Sequence, residues 1–214
     1  MARRPVFVPD SDKPYVSELS LDFEYCSGSS IQNKQRSIAS LHAAYVAKFP
    51  SLRVLEVSSK SERDIGVRLS AFNLMIEHPG CGSYSVECAF QASKVFRHGG
   101  PFVDLLNASS RAAKTDRRLR KSGELVAFRY CEHEFPLEPK TYFYDWLYAS
   151  ALCHDDKLVE QVMMFDAFTD IEHNPGRSIN CQARSVAKVV GLARAGLLTD
   201  ALQSPQAFLE LGYH

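Results

Sequence analysis

The amino-terminal quarter of the chain shows two successive hydrophobic periods. Apolar and polar side chains alternate over residues 18–25, which is the period of a half-buried strand. A serine-glycine segment at 27–30 then offers an N-cap, and apolar residues recur at helical spacing until Pro50. The pattern predicts a strand and then a helix of roughly 17 residues. Residues 53–59 predict a second strand.

Residues 84–96 predict a helix that is apolar on nearly all sides and is ended by the Gly-Gly-Pro segment at 99–101. Its polar side chains fall within about 60° of one another, and they are Glu87, Gln91, Lys94 and His98. A helix that is apolar on most sides is enclosed, and an enclosed charge costs several kcal/mol unless it is paired or used. The polar stripe therefore favours the wall of a ligand pocket. A packed helix with one wet edge is the alternative.

Four further helices are predicted in the second half of the chain. Their starts are marked by capping residues or by proline at a permitted first position, at Ser109, Pro139, Asp155 and Ser204. The second of these helices carries the only tryptophan of the chain, Trp146. Its flat side chain is able to stack on a base, and a place in the core is the alternative.

The charges of the chain balance, because 25 basic side chains stand against 25 acidic ones. This excludes a global electrostatic preference for nucleic acid and leaves only local patches. The strongest patch is the segment 111–121, with six basic residues and one acidic residue. It is suited to hold a pyrophosphate or a DNA backbone, and a solvated face is the alternative. The amino terminus lacks the apolar run of a signal peptide and no apolar segment approaches a membrane span, so we expect a cytoplasmic protein with no membrane partner.

The six cysteines are scattered without the short doublets of zinc ribbons. We therefore expect reduced, mostly buried thiols, no resident metal and no cofactor. A metal site formed by Cys81, Cys88 and His98 is the alternative. With 214 residues the chain is long enough for one domain with a sizeable core.

The segment 84–94 reads Tyr-Ser-Val-Glu-Cys-Ala-Phe-Gln-Ala-Ser-Lys. It resembles the signature helix of the NADAR domain, whose pattern is Pro-Ser-x-Glu-x-x-Phe-Gln-Ala-x-Lys. Six residues match it in register, namely Ser85, Glu87, Phe90, Gln91, Ala92 and Lys94. Residues 69–74 resemble the family's Leu-Ser-Asn-Phe element, which lines the nucleotide-sugar pocket. This resemblance implies pocket positions for Ser70 and Phe72, with Asn73 as a neighbouring polar side chain.

Two later segments resemble further elements of the family. Residues 167–175 resemble its Leu-x-Glu-Ala-Ser-Pro element, which puts Glu172 at the acidic position and Asp170 on the same face of a predicted strand. Residues 180–187 resemble the Gly-x-Asn-x-Leu-Gly opening of the last main helix, with Gln182 at the asparagine. The family's Asp-x-x-Trp-Gly is absent from 176–180, which indicates a divergent subgroup.

The resemblance covers about residues 53–195 and leaves 1–52 as a strand-helix unit of the subgroup. It implies an α+β fold, a mainly helical single domain over 1–214 with a small sheet. The whole chain looks most like the NADAR antitoxins that are paired with DarT-type toxins, which ADP-ribosylate guanine in DNA. The implied function is an N-glycosidase that removes ADP-ribose from guanine bases, with a DarT-like toxin as partner and DNA, RNA or nucleotides as carriers of the modified base.

The chemistry of this reaction assigns roles to the matched residues. A desolvated lysine is able to attack the anomeric carbon, which makes Lys94 the nucleophile, while Glu87 orients the ribose or moves a proton. The second acid is Asp170 or Glu172. At the end of the second strand, residues 58–61 offer donors to a phosphate, with a polar turn as the alternative. The substrate-binding residues are predicted to be Ser58, Ser59, Lys60, Ser70, Phe72, Asn73, Gln91, Trp146, Asn180, Gln182 and Arg184.

Two other functions fit the same residues. The first is an N-glycosidase that acts on phosphorylated intermediates of riboflavin synthesis, an activity of the wider family. The second is a non-catalytic reader of ADP-ribose, or an antitoxin that neutralises its toxin by stoichiometric binding. Intact acidic and lysine positions favour turnover.

Overall fold

The computed structural model describes residues 1–80, 82–176 and 178–214. Its helices and strands follow one another as β1 (Ala2–Pro9), β2 (Val16–Phe23), α1 (Ile31–Lys48), β3 (Val54–Glu56), α2 (Asp64–Arg68), β4 (Met75–His78), β5 (Gly82–Ser85), α3 (Val86–Ala92), β6 (Lys94–Phe96), a 3₁₀ helix (Val103–Asn107), α4 (Ser110–Thr115), α5 (Arg118–Lys121), β7 (Leu125–Tyr130), β8 (His133–Phe135), α6 (Tyr142–Leu152), α7 (Asp156–Val162), β9 (Ala167–Thr169), α8 (Gln182–Arg194), α9 (Leu198–Ala201) and α10 (Pro205–Tyr213). The fold is α+β with small sheets, as predicted.

A four-stranded sheet in the order β2-β1-β9-β3 joins the amino-terminal unit to the rest of the chain. β1 and β2 form a full antiparallel hairpin, and β1 also meets β9 where Phe7 pairs with Phe168. The pair β3 and β9 is parallel, with Glu56 opposite Thr169. Because parallel strands end at the same edge, the residues that follow both strands come close together.

The predicted amino-terminal elements are confirmed, with one addition. Burial alternates along β2, and α1 begins at Ile31 after Ser30, whose hydroxyl accepts a hydrogen bond from Asn33 N. Ile38, Leu41 and Tyr45 of α1 pack on the sheet in a small core of their own. β1 was not predicted, because two prolines and two arginines interrupt the apolar pattern of its sequence. Its apolar face is buried in the hairpin with β2.

The prediction of one helix over residues 84–96 is wrong at both ends. Residues 84 and 85 belong to β5, the helix α3 stops at Ala92, and Lys94 to Phe96 form β6. The backbone of residues 94–96 pairs with β7, and Lys94 lies opposite Phe128. This strand pairing takes the place of a further helical turn. His98 is therefore not part of the polar stripe and is exposed.

Gly100 packs closely against the backbone of Lys94. Gly100 has a φ of +85°, and a Cβ atom there would lie 2.2 Å from the carbonyl oxygen of Lys94. Only a glycine combines this conformation with so close an approach. The Gly-Gly-Pro segment thus folds back on β6 instead of ending a helix.

Three other boundaries differ from the predictions. The basic segment splits into α4 and α5, because Asp116 accepts from the backbone N of Arg118 and starts a new turn. α6 begins at Tyr142, after Thr141 with φ +70°, and not at Pro139. β9 ends at Thr169, so Asp170 and Glu172 lie in the following turn and do not share a strand face. The starts predicted at Ser109, Asp155 and Ser204 are confirmed by their hydroxyl or carboxylate caps.

The large core packs α3, α6 and α8 against the sheets. α6 supplies stacked aromatic rings, and α8 is buried along most of its length. Among the residues that the structure describes, no helix has the length and apolar character needed to cross a bilayer.

Candidate active site

Three side chains of the signature segment form one hydrogen-bonded line. Lys94 Nζ donates to Gln91 Oε1 over 2.8 Å, and Gln91 Nε2 donates to Glu87 Oε1 over 2.8 Å. Glu87 and Gln91 are buried, each 6% exposed, while Lys94 is partly buried. The glutamine amide thus bridges two charges that are too far apart along the chain to pair directly. These residues line up although Lys94 lies outside the helix.

The surroundings of Lys94 favour the neutral form of its amine. Its Nζ lies 4.6 Å from the centroid of the Phe90 ring. Burial lowers the pKa of Lys94 to about 8; Glu87 opposes this shift and Lys114 adds to it. At pH 7 a pKa of 8 leaves about a tenth of the amine neutral, against well under 0.1% for an ordinary lysine.

The loop after α2 holds the start of α3. Glu87 N donates to Ala71 O over 2.9 Å, and Ser110 Oγ donates to Phe72 O over 2.9 Å. Lys114 Nζ lies over the ring of Phe72, 5.1 Å from the ring centroid. This loop and a cation of the basic segment therefore adjoin the Lys94 line.

The other two residues predicted on this loop differ in their exposure. Ser70 is buried, and its Oγ accepts from Phe72 N over 3.4 Å. Asn73 is exposed and donates to Val67 O, away from Glu87.

Gln182 ties this loop to the central sheet. Its Oε1 accepts from Ala71 N over 2.7 Å, and its Nε2 donates to Val57 O over 2.6 Å. The first residue of α8 therefore spans the loop on one side and the end of β3 on the other. A predicted binding residue is thus observed as the connector between the lysine line and the acidic end of the sheet.

A buried pair of acids lies at that end of the sheet. Glu56 is 2% exposed and accepts from Ser58 Oγ (2.7 Å), Thr169 Oγ1 (2.6 Å) and Ile171 N (2.8 Å). Asp170 is 9% exposed and accepts from the backbone N–H groups of residues 172 and 173. Burial raises the pKa of both carboxyl groups, and the charge of Glu56 raises the pKa of Asp170 further. The pair is therefore able to keep a proton near neutral pH.

Glu56 was missed by the sequence analysis. The signal for it is a single carboxylate within the apolar run of the second strand, where a charge is expensive without a partner. Ser58, predicted as a phosphate ligand, uses its hydroxyl to hold Glu56 and accepts from Lys60 N over 3.1 Å. Ser59 is exposed and Lys60 is partly buried at this turn.

The two candidate second acids are separated by the structure. Glu172 forms an ion pair with Lys34 over 2.9 Å, and its side chain is 41% exposed. Asp170 is enclosed instead, with Cys181 Sγ at 3.8 Å from its Oδ2. Asp170 therefore faces the core, whereas Glu172 faces α1.

Tyr144 was also missed, although it lies on the predicted aromatic helix. It is buried, and its ring meets Phe90 edge-on at 5.0 Å. Burial raises its pKa well above the ordinary value, and the charges of Glu87 and Asp170 raise it further. A neutral phenol thus lies within electrostatic reach of Glu87 and of Asp170.

Two predicted ligands occupy other surroundings. Arg184, whose side chain is partly buried, forms an ion pair with the buried Asp145 and donates to Thr141 Oγ1 over 2.9 Å. Trp146 packs against Phe135 with ring centroids 5.0 Å apart, within the aromatic core. Trp146 Nε1 is buried and finds no partner in the described part of the chain.

A cavity of about 250 Å³ opens between β7, the start of α6 and the segment that precedes α8. Phe128, Tyr144 and Asn180 are among its lining residues. Phe128 and Tyr144 both contact Phe90, and Lys94 Nζ lies over the ring of Phe90. The cavity is therefore one aromatic ring away from the amine.

Within residues 1–80, 82–176 and 178–214, no group of three His, Cys, Asp or Glu side chains is arranged to hold a metal ion. Of the three residues considered for such a site, Cys81 lies outside the described residues. Cys88 is buried and its thiol donates to Ala108 O over 3.2 Å.

The chain was compared with known proteins. A search of curated proteins found no match. A family model described as the DarT1-associated NADAR antitoxin, named NADAR-DarT1, matches residues 2–214, which is nearly the entire sequence. The matched span includes the lysine line, the acid pair and the amino-terminal hairpin. The chain therefore belongs to the family of DarT1-associated NADAR antitoxins.

Proposed function

We propose that this antitoxin is an N-glycosidase that removes ADP-ribose from guanine bases of DNA and so reverses the modification made by a DarT-like toxin. The observations that carry the proposal are the hydrogen-bonded Lys94-Gln91-Glu87 line and the buried acid pair, in which the pKa of Asp170 is raised. Family membership supports an antitoxin role, and these groups supply the chemistry of glycosidic cleavage.

In the proposed reaction the neutral amine of Lys94 attacks the anomeric carbon of the ribose. The bond from this carbon to the guanine nitrogen breaks, its electron pair stays on that nitrogen, and the nitrogen takes a proton from the Asp170 and Glu56 pair. Gln91 holds the amine in position, and Glu87 takes up the proton that the attacking amine releases. The bond from the anomeric carbon to the ring oxygen then breaks, which forms a protonated Schiff base on Lys94, and the ring oxygen takes the proton back from Glu87. Addition of water to the Schiff base releases ADP-ribose, restores the neutral amine and returns a proton to the acid pair.

Asp170 is the second acid in this proposal, and Glu172 has a structural role. The enclosed carboxyl group has a raised pKa and is thus able to hold the proton that the leaving base needs. Glu172 is engaged with Lys34 at the surface. Lys114, above the ring of Phe72, is the cation suited to the diphosphate of the substrate.

The test is the release of ADP-ribose from a guanine-ADP-ribosylated single-stranded oligonucleotide, followed by mass spectrometry. Wild type is compared with Lys94→Ala and with Lys157→Ala, which removes an exposed lysine on α7. Borohydride is added to trap a Schiff base. Release by wild type and by Lys157→Ala alone, with a reduced adduct on Lys94, supports the proposal.

The same assay separates the other functions. Release by Lys94→Ala at the wild-type rate contradicts the nucleophile role. No release by wild type, together with stoichiometric binding of a DarT-like toxin or of ADP-ribose, replaces the enzyme by a binding antitoxin. Cleavage of phosphorylated ribosylamino-pyrimidines with no release from the oligonucleotide indicates the small-molecule glycosidase.

A further inference from the structure

A histidine of the amino-terminal strand-helix unit reaches the acid pair through one threonine. His42 lies in α1 next to Leu41, which packs on the central sheet. Its Nε2 lies 2.8 Å from Thr169 Oγ1, and Thr169 Oγ1 donates to Glu56 Oε2 over 2.6 Å. Thr169 is fully buried, and His42 is partly buried. Side chains from α1, β9 and β3 therefore form one hydrogen-bonded chain that ends on Glu56.

The direction of this chain follows from the number of protons that each group holds. A threonine hydroxyl has one proton, and Thr169 gives it to Glu56, so the oxygen of Thr169 accepts from His42. Burial, and to a smaller extent the charge of Arg63, lower the pKa of His42 to about 4. His42 is thus neutral at pH 7 and has a single N–H. The contact with Thr169 requires this N–H at Nε2, which fixes the tautomer of the imidazole.

Within the described residues, each hydrogen bond of the Glu56 side chain is one that its carboxylate accepts. Besides Thr169, Ser58 Oγ and Ile171 N donate to Oε1 over 2.7 and 2.8 Å. Ser58 Oγ itself accepts from Lys60 N, so its own proton is left for Glu56. Burial favours the neutral form of Glu56, but all three donors favour the ionised form. The hydrogen bonds therefore mark Glu56 as the ionised member of the acid pair.

Asp170 has an oxygen that is suited to carry the proton. Its Oδ1 accepts from two backbone N–H groups, whereas its Oδ2 contacts the thiol of Cys181, a weak donor, at 3.8 Å. Burial and the charge of Glu56 raise the pKa of Asp170 to about 8, and the charge of Glu172 adds to this shift. Glu172 is in turn paired with Lys34 of α1. An ionised Glu56 is therefore the condition under which Asp170 keeps its proton.

We infer that His42 is a positioning residue for the acid pair: by donating from Nε2 to Thr169 it turns the threonine hydroxyl toward Glu56, keeps Glu56 ionised and leaves the proton of the pair on Asp170. The inference rests on the proposed function, because it names the residue that prepares the proton donor of that reaction. His42 acts through Thr169 and Glu56 and gives no proton to the leaving base itself. The amino-terminal unit thus has a part in the chemistry, since α1 supplies this residue.

Two variants of His42 and one control test this role. His42→Gln keeps an N–H donor near the place of Nε2, His42→Leu removes the donor, and His154→Leu changes an exposed histidine that follows α6. The measurements are the pH profile of kcat for release of ADP-ribose and the midpoint of unfolding.

We expect the alkaline limb of the profile to move down by about one pH unit in His42→Leu. Without the donor the hydroxyl of Thr169 is free to turn away, Glu56 takes up a proton, and the pKa of Asp170 falls because the charge that raised it is gone. His42→Gln and His154→Leu keep the limb of wild type. An unmoved limb in His42→Leu overturns the inference even where kcat falls, because a merely structural loss lowers the rate at every pH. Equal shifts in His42→Gln and His42→Leu overturn it as well.

A measurement that needs no turnover separates this inference from the proposed function. If wild type releases no ADP-ribose, NMR at pH 7 identifies the tautomer of His42, and a pH titration follows the carboxyl carbon of Asp170. An Nε2–H tautomer, with an Asp170 titration near pH 8 that moves to lower pH in His42→Leu, supports the inference although the enzymatic proposal has failed.

Two results of the same measurement overturn the inference. One is an Nδ1–H tautomer in wild type, because Thr169 then donates to His42 instead of to Glu56. The other is the same titration of Asp170 in wild type and in His42→Leu. The tautomer is read from wild type alone, so this test holds even if His42→Leu does not fold.

Discussion

The carboxylate of Glu56 raises the pKa of Asp170, an effect second only to the burial of Asp170 itself. The two residues belong to the ends of the parallel strands β3 and β9, which the chain connects through more than a hundred residues. Three hydrogen bonds fix Glu56, and two backbone N–H groups fix Asp170. The acid pair is thus held in place at the sheet edge, and in the proposed reaction it supplies the proton for the leaving base.

Glu56→Gln is expected to lower the pH at which activity is lost. The amide keeps the shape of the side chain but removes its charge, so the pKa of Asp170 falls toward its ordinary value. A lower pKa means that Asp170 loses its proton at a lower pH, and the alkaline limb of the release rate moves down by about one pH unit. The measurement is the pH profile of kcat. Glu124→Gln, which changes an exposed carboxylate, serves as the control, and an unmoved limb in Glu56→Gln contradicts the proton role.

Lys114→Met is expected to raise the pKa of Lys94. Lys114 lowers this pKa by charge repulsion, so its removal stabilises the ammonium form. The neutral amine then appears at higher pH, and the acidic limb of activity moves upward from about pH 8. NMR titration of the Lys94 amine checks the shift directly. Lys121→Met removes another charge of the basic segment as a control, and equal shifts in both variants would show a general charge effect.

Gln91→Met is expected to leave the fold intact and to slow release by about 10–100-fold. Methionine has a similar shape but cannot bridge the ammonium of Lys94 and the carboxylate of Glu87. The amine then loses its orientation relative to Glu87. Rates of release and of borohydride trapping measure the effect. A wild-type rate in the variant, with an unchanged unfolding midpoint, refutes the positioning role of Gln91.

Asp145→Ala is expected to lower the free energy of unfolding by about 3–5 kcal/mol. Asp145 is 1% exposed and accepts from Arg184, Ser185 and Tyr213, so its removal leaves a partly buried guanidinium and two hydroxyl groups without their acceptor. Urea denaturation measures the loss. Asp22→Ala breaks the exposed ion pair with Arg3 and is the matched control, with a small change expected. Similar losses in the two variants would contradict the buried network.

Local patterns identified much of the fold and most of the chemistry of the candidate site. Alternation gave β2, helical spacing and caps gave α1, α7 and α10, and the signature segment singled out Glu87, Gln91 and Lys94. These features depend on neighbours within a few positions of the chain, where periodicity and capping act. The strands β1 and β6 were not predicted, because they do not depend on such local signals. Both strands exist because distant backbone groups satisfy their hydrogen bonds.

The sequence by itself singled out the lysine, the glutamine and the glutamate of the signature segment, because buried polar side chains at that spacing are costly without partners. Only the tertiary structure decided which partners the polar side chains have. It joined Glu56 to Asp170 across parallel strands, paired Glu172 with Lys34 and Arg184 with Asp145, and packed the ring of Tyr144 against Phe90. The physical reason is that burial and through-space charge set a pKa and a partner, and both depend on residues that are remote in the sequence.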